Sequence, residues 1–305
     1  MGQIDERIRS ERHVWHIYQR ARNGFVVFYR IRDCLVFFTI FSMTARRHKM
    51  KILGLCLMYN HFHVILESAD NKDISSLMRY AVSRFAMLYN KEYGISGQLF
   101  SKYGHAYKKG EKAIRTTLAY LYNNPVEDHL CPKAENWQWN FLAYAQSDSP
   151  FSEELILKRS SRKLRRSIER VKELRKSNRT LGYKTIDSLC DKLDISEKKQ
   201  MVDFIIKLYS VIDYSSAAAF YGSREKMTQA FAYNTGSEYD IEEAFENHSG
   251  PSYRKMARYA SKHIGDLLRQ TPEIRAGYLE TLVRDCKVRK ALAMKFLHLD
   301  AGVTR

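Results

Sequence analysis

No apolar run in this 305-residue chain is long enough to span a bilayer. The most apolar window, Gly24–Met43, is broken by Arg30, Arg32 and Asp33. Its clean stretch, Cys34–Phe41, falls far short of the roughly 20 residues that a spanning helix needs. The first residues, MGQIDERIRSE, hold no apolar stretch of the secretory type, and Glu6 fails the myristoylation pattern. Cysteines are few and scattered: Cys34, Cys56, Cys131, Cys190 and Cys286 form no CxxC pair. That excludes a disulfide framework and a cysteine zinc site, and suits a reducing compartment. A cytoplasmic, nucleoid-associated location without a membrane partner is expected. The chain also lacks a P-loop, so no ATP-driven step is expected.

Acidic residues are outnumbered, 34 against 51 Lys plus Arg, for a net charge of +17. A field of that sign attracts phosphate polyanions, with salt-sensitive affinity. An ordinary basic protein or a membrane-surface protein would share the charge. No basic amphipathic anchor stands at a terminus, which favours nucleic acid.

Hydrophobic periodicity divides the first half into alternating elements. Residues 1–20 read as a polar helix, GFVVFYR (Gly24–Arg30) as a strand, and Cys34–His48 as a helix with a basic end. Lys51–Met58 and His61–Ser68 read as two strands around Tyr59–Asn60. A long helix over Ile74–Gly94 follows, then a weak strand or loop, then a helix from Glu111 that stops before Pro125. This order predicts an α+β fold, a ferredoxin-like antiparallel sheet with helices on one face. Such a domain would span residues 1–150. Residues 151–305 carry helical patterns and no strand, so an all-α second domain is expected there.

Two features could carry chemistry. In His61-Phe62-His63, strand alternation puts both imidazoles on one face, where they could share a metal ion while Phe62 enters the core. The plainer alternative is a pair of polar surface histidines on an edge strand. Tyr120 and Asn124 are one helical turn apart on a single face, and Tyr122 points roughly 200° away. A phenol with a pKa near ~10 needs a metal or a positive field on the phosphate it attacks. Asn124 could supply an oxygen ligand, or could merely cap the helix beside Pro125.

With these residues in view, the chain resembles a known family. LMYNHFHVILE resembles the His-hydrophobic-His strand pair of HUH single-tyrosine transposases of the insertion-sequence-200-like type, and TTLAYLYNNPVED resembles their tyrosine helix. SGQLF and NWQWNFLAY resemble flanking elements of the REP-associated tyrosine transposases. The resemblance covers about residues 20–145. It implies a DNA strand transferase that cuts and rejoins single-stranded DNA at hairpins or repeats. His61 and His63 would bind Mg²⁺ or Mn²⁺ with help from Asn124, and Tyr120 would form a 5′-phosphotyrosine. Two departures stand out. Tyr59 occupies the position of the family's usual Pro, and KYGHAYKKG is basic where the family often carries an acid. His105 in that stretch is a third-ligand or DNA-contact candidate, with a plain loop histidine as the default.

The second half lies outside the resemblance. Residues 158–179 hold eleven Lys or Arg and two Glu around the stripe Leu164, Ile168 and Val171, a basic helix that is either a solvated face or a DNA contact. Lys102, Lys108, Lys109, Arg115, Arg162, Arg165 and Arg166 are the candidate DNA contacts. Thr281–Leu299 has a helix-turn-helix outline, with a turn near Cys286–Val288 and Ala291, Phe296 and Leu297 facing inward. Two other functions compete: a replication-initiator-like nickase, and a domesticated DNA-binding regulator without strand transfer. Monomer and homodimer both stay open.

Overall fold

A computed structural model describes residues 13–233 and 249–300. Its sheet is built from β1 (His13–Arg20), β2 (Lys51–Leu57), β3 (His61–Ser68) and β4 (Gly104–Lys108), ordered β2-β3-β1-β4 and antiparallel throughout. Three helices intersperse them: α1 (Ile31–Arg47), α2 (Asn71–Tyr93) and α3 (Gly110–Glu127). The expected alternation of elements is present, but its first strand lies elsewhere. His13–Arg20 is a central strand rather than a polar helix. Its polar look arises because His16 and Gln19 are buried beside the apolar Val14 and Ile17. Gly24–Arg30 pairs with no strand. It is an extended buried segment in which the Val27 and Phe28 amides both donate to the Tyr59 carbonyl, at 2.8 and 2.9 Å. Its β-branched and aromatic residues reflect burial, not sheet pairing.

Alternation along β3 separates two cores. Phe62, Val64 and Leu66 join α1 and α2 on one face; Ile65 joins α3 on the other. Helices cover one face as expected, and the opposite face is covered too. α1 is buried without interruption from Asp33 to Ala45, because α4 (Arg162–Lys176), α5 (Tyr183–Cys190) and α6 (Ile195–Tyr209) pack over it in the same core. A helix apolar all round is what such a middle layer requires. α7 (Tyr214–Ala219), α8 (Arg224–Tyr233), α9 (Gly250–His263), α11 (Leu279–Cys286) and α12 (Lys290–Leu297) join the core of the α3 face, with the short α10 (Pro272–Gly277) between them. Among the described residues no strand follows position 150, and both cores draw on chain from either side of it.

Local signals explain most of the boundaries. Asp70 caps α2 by accepting from the Lys72 amide at 2.9 Å, and Gly94 ends it in the left-handed region at φ 64°. α3 runs past Pro125 to Glu127, since a proline in the last turn removes only one intrahelical donor. α3 also sits unusually close to β2. A Cβ on Gly54 would lie 3.2 Å from Leu121 Cδ2, so the glycine makes room for the helix that carries Tyr120. α11 and α12 have the expected helix-turn-helix outline, with Lys287 left-handed in the turn. Phe296 and Leu297 face inward on α12 as expected, beside Leu292 and Ala293, whereas Ala291 is exposed. Among the described residues no helix is long and apolar enough to cross a membrane.

One buried polar knot ties α1, α2 and α5 together. Tyr93 and Tyr183 donate to Asp33 Oδ1 at 2.7 and 2.9 Å, and the Arg32 guanidinium lies over both rings. Burial pushes the Asp33 carboxyl up to about 6, against the pull of the two hydroxyls and of Arg30 and Arg32. An acid whose pKa rises on folding binds more protons folded than unfolded between its two pKa values. Stability should therefore fall as pH rises from about 4 to 6, by about 2–3 kcal/mol in total. Asp33→Asn keeps both acceptor bonds and removes this titration. Urea unfolding of wild type and variant should give a stability difference that drifts across that window and is flat above it. A difference flat throughout would refute the assignment.

Candidate active site

β3 is an interior strand, so His61 and His63 are buried, 2% and 0% exposed, rather than edge histidines on the surface. Their rings lie 5.1 Å apart at 88° on the face covered by α3. Across β1, the residues of the same face are Val14, His16, Tyr18 and Arg20; Tyr18 is in register with His63 and Arg20 with His61. From α3, Tyr120 sits edge-on to His63 at 5.5 Å and to His16 at 6.1 Å. Tyr122 points away. Its hydroxyl donates to the Leu53 carbonyl at 3.2 Å and its ring packs on Phe231. Asn124 is buried one turn beyond Tyr120, and its side chain reaches His61. The structure thus gathers His61, His63, Tyr120 and Asn124 into one place.

His16 belongs to the cluster and is not among the residues singled out from the sequence. Its Nε2 lies 3.0 Å from His63 Nδ1, with the rings stacked at 5.2 Å and 15°. The missed signal is the alternation Val14-His16-Tyr18-Arg20, hidden when the segment is read as a helix. His105 pairs with Ile17 and lies tilted against Trp15 and Tyr103, on the opposite face of the sheet. It is no third ligand.

The electrostatics favour neutral imidazoles. Burial pushes His61 well below the usual range, with His63 and Arg20 adding to it and the Asn124 amide working the other way. Burial alone takes His63 down to about 3. His16 is lowered by burial, then by His63 and Lys108. A neutral imidazole offers one lone pair, and neighbours decide which nitrogen carries it. With the Asn60 amide oxygen 2.8 Å from His61 Nδ1, that nitrogen donates and Nε2 holds the lone pair. If His63 Nδ1 donates to His16 Nε2, His63 Nε2 is likewise left as the electron donor. The donor set is thus two imidazole nitrogens and an amide oxygen. Among the described residues no group of three or more His, Cys, Asp and Glu converges on a metal position. What the residues fit is a buried, weakly charged donor set of three, which would need phosphate oxygens and water to complete the shell of a hard divalent ion.

The candidate DNA contacts divide by location. Lys108 faces the site from the edge strand β4, Lys109 precedes α3 and Lys102 is exposed just before β4. Arg115 is engaged internally, paired with Glu111 at 3.1 Å and bonded to the Phe220 carbonyl. Arg162, Arg165 and Arg166 lie on α4, whose core is that of α1 and α2, across the sheet from Tyr120.

Residues 14–124 match the family model described as Transposase IS200 like. The match begins at β1 and ends at Asn124, so it takes in His61, His63 and Tyr120, and the resemblance read from the sequence holds over this segment. The chain is also similar to a solved REP-associated tyrosine transposase bound to a REP hairpin. The identity is 18%, over 42% of this chain and 74% of that one, at a loose TM-score of 0.36. No curated protein matches the chain. The family match supports a transposase-like, DNA-processing role.

Proposed function

We propose that the protein cleaves and rejoins single-stranded DNA, at hairpin or repeat ends, through a 5′-phosphotyrosine on Tyr120. The observation that carries this reading is the convergence of Tyr120, His61, His63 and Asn124 on one sheet face, within the segment that matches IS200-like transposases. His61 Nε2, His63 Nε2 and the Asn124 amide would hold a divalent ion, Mg²⁺ or Mn²⁺. Bound there, the ion would supply Lewis-acid polarisation of the scissile phosphate. His16 and Asn60 act through the other two, holding each imidazole in the tautomer that keeps a lone pair toward that position. The rigid β1–β3 pairing fixes the imidazoles, and α3 fixes the phenol beside them. In the cleavage step the Tyr120 oxygen forms a bond to phosphorus as the bond to the 3′ oxygen breaks. The phenol loses its proton, and the departing oxygen becomes a 3′-hydroxyl. The phosphodiester energy stays in the tyrosine ester, so rejoining needs no nucleotide. Arg20 and Lys108, on the same face, place positive charge near the phosphate path.

Incubation with 5′- and 3′-labelled single-stranded hairpin DNA and Mn²⁺ tests the reading. A protein adduct that retains label from the 3′ fragment only, and that EDTA prevents, is the expected result. DNA binding without any adduct would favour the domesticated regulator instead.

A further inference from the structure

The helix best placed to guide DNA into the site is not the most basic one. α4 is densely charged, but its apolar stripe is buried in the core of α1 and α2, on the far side of the sheet. α9, from the segment beyond the family match, packs on the near side. Tyr253, Met256 and Ala260 bury its inner stripe in the core that also holds Cys56, Tyr59, Ile65 and Leu118. Arg254, Arg258 and Lys262 follow at four-residue spacing and form a file of cations about 12 Å long.

This file lines an open groove of about 440 Å³ together with Tyr29 and Tyr59. At its inner end Tyr59 packs edge-on to Trp137 and Tyr253, at 5.8 and 6.0 Å. Arg254 hydrogen-bonds the Tyr59 hydroxyl, donates to the Leu130 carbonyl and lies over the Trp137 ring. The residue standing where the family usually has Pro is therefore the seat of α9. Asn60, the next residue, bonds His61. The first amide of α9, at Gly250, donates to Asp128 at 3.1 Å, just past the end of the Tyr120 helix. The groove shares Tyr29, Ala257 and Ser261 with a larger cavity of about 1110 Å³, whose lining carries Lys198 and Lys199 beside the ion pairs Arg30–Asp266 and Arg32–Asp187.

Charge distinguishes the occupant. Arg258 and Lys262 are exposed and make no ion pair with any described residue. Because the apolar face of α9 is buried, the helix cannot insert into a lipid surface. The Tyr59 ring is turned into the core and the half-buried Tyr29 ring packs on Phe296, so the exposed groups of the groove are chiefly the Arg258 and Lys262 cations. Such a surface recognises a phosphate backbone without reading bases.

We propose that the groove along α9, with Arg258 and Lys262 as its phosphate contacts and Arg254 as the anchor that sets its direction, guides the backbone of single-stranded DNA to the histidine–tyrosine site. The inference deepens the DNA-cleaving function proposed above and rests on it.

The test compares the full-length protein with two double variants, Arg258→Gln with Lys262→Gln on α9 and Arg165→Gln with Arg166→Gln on α4. Binding of labelled oligothymidylate is followed by fluorescence anisotropy across a salt series, and adduct formation is measured in parallel. All four residues are exposed, so matching melting temperatures confirm the folds. The α9 variant should lose about 1.4 from its log–log salt slope, at roughly 0.7 per phosphate, and form adduct more slowly at limiting DNA. The α4 variant should keep the wild-type slope. An unchanged slope in the α9 variant overturns the proposal and returns this face to a protein partner. Equal losses in both variants overturn it too, since only net charge would then matter. A wild type that forms no adduct while the α9 variant alone loses its slope sinks the cleavage reading and leaves the groove standing.

Discussion

Tyr120→Phe is expected to abolish the covalent protein–DNA adduct and leave binding of the same DNA within about 2-fold. Phe retains the ring that packs beside His63 and His16 and removes only the oxygen that would bond to phosphorus. Loss of a single hydroxyl costs at most about 1–2 kcal/mol of stability, so the variant stays folded. Tyr122→Phe is the matched control. It removes a hydrogen bond to Leu53, on the side of α3 away from the histidines, and should form adduct at the wild-type rate once its lower melting temperature is respected. Denaturing gel electrophoresis of end-labelled DNA with each protein reads both outcomes. An adduct that survives in Tyr120→Phe and disappears in Tyr122→Phe would reverse the assignment.

The second large effect concerns the histidines. His61→Ala with His63→Ala should lose Mn²⁺ binding and metal-dependent cleavage together. Both imidazoles are buried, so the double variant also leaves small cavities and should lose about 1–3 kcal/mol of stability. The assays must therefore run well below its melting temperature. His16→Leu supplies the graded case: with the acceptor for His63 Nδ1 gone, metal affinity should fall by about 10–100-fold while both ligands remain. His16→Gln, which keeps an acceptor, should recover part of it. Mn²⁺ titrations followed by electron paramagnetic resonance measure all three without reference to activity. Wild-type Mn²⁺ affinity in the double alanine variant would refute the metal site. Wild-type affinity in His16→Leu would refute only the orienting role of His16.

Much of this site is legible in the sequence, and for particular reasons. His61-Phe62-His63 is readable because strand alternation is rigid, and the structure puts Phe62 in one core and the imidazoles on the opposite face. Tyr120 and Asn124 are readable because helical spacing is equally rigid, and the orientation of Tyr122 follows from it. His16 escapes because β1 is an interior strand with polar residues on both faces, which looks like a polar surface helix when read alone. The cover over the α3 face escapes for another reason. Residues 214–233 and 250–297 show only generic amphipathic helices, and nothing local in them tells which sheet face they will bury. The role of Tyr59 needs both pieces, since its partners Trp137, Tyr253 and Arg254 are far away in sequence.

The shared core on the α3 face has a bearing on synthesis. The Val26 amide donates to the Lys295 carbonyl, His298 bonds back to the Val26 carbonyl at 2.7 Å, and Tyr29 packs against Phe296. The same short segment, through Val27 and Phe28, holds the Tyr59 carbonyl that precedes Asn60 and His61. A chain still on the ribosome carries its histidines and its tyrosine long before it carries the residues that brace them. The chain must emerge as far as His298 before Val26 finds its partners, so a nascent chain holds the Tyr59–His61 turn without its full brace until then.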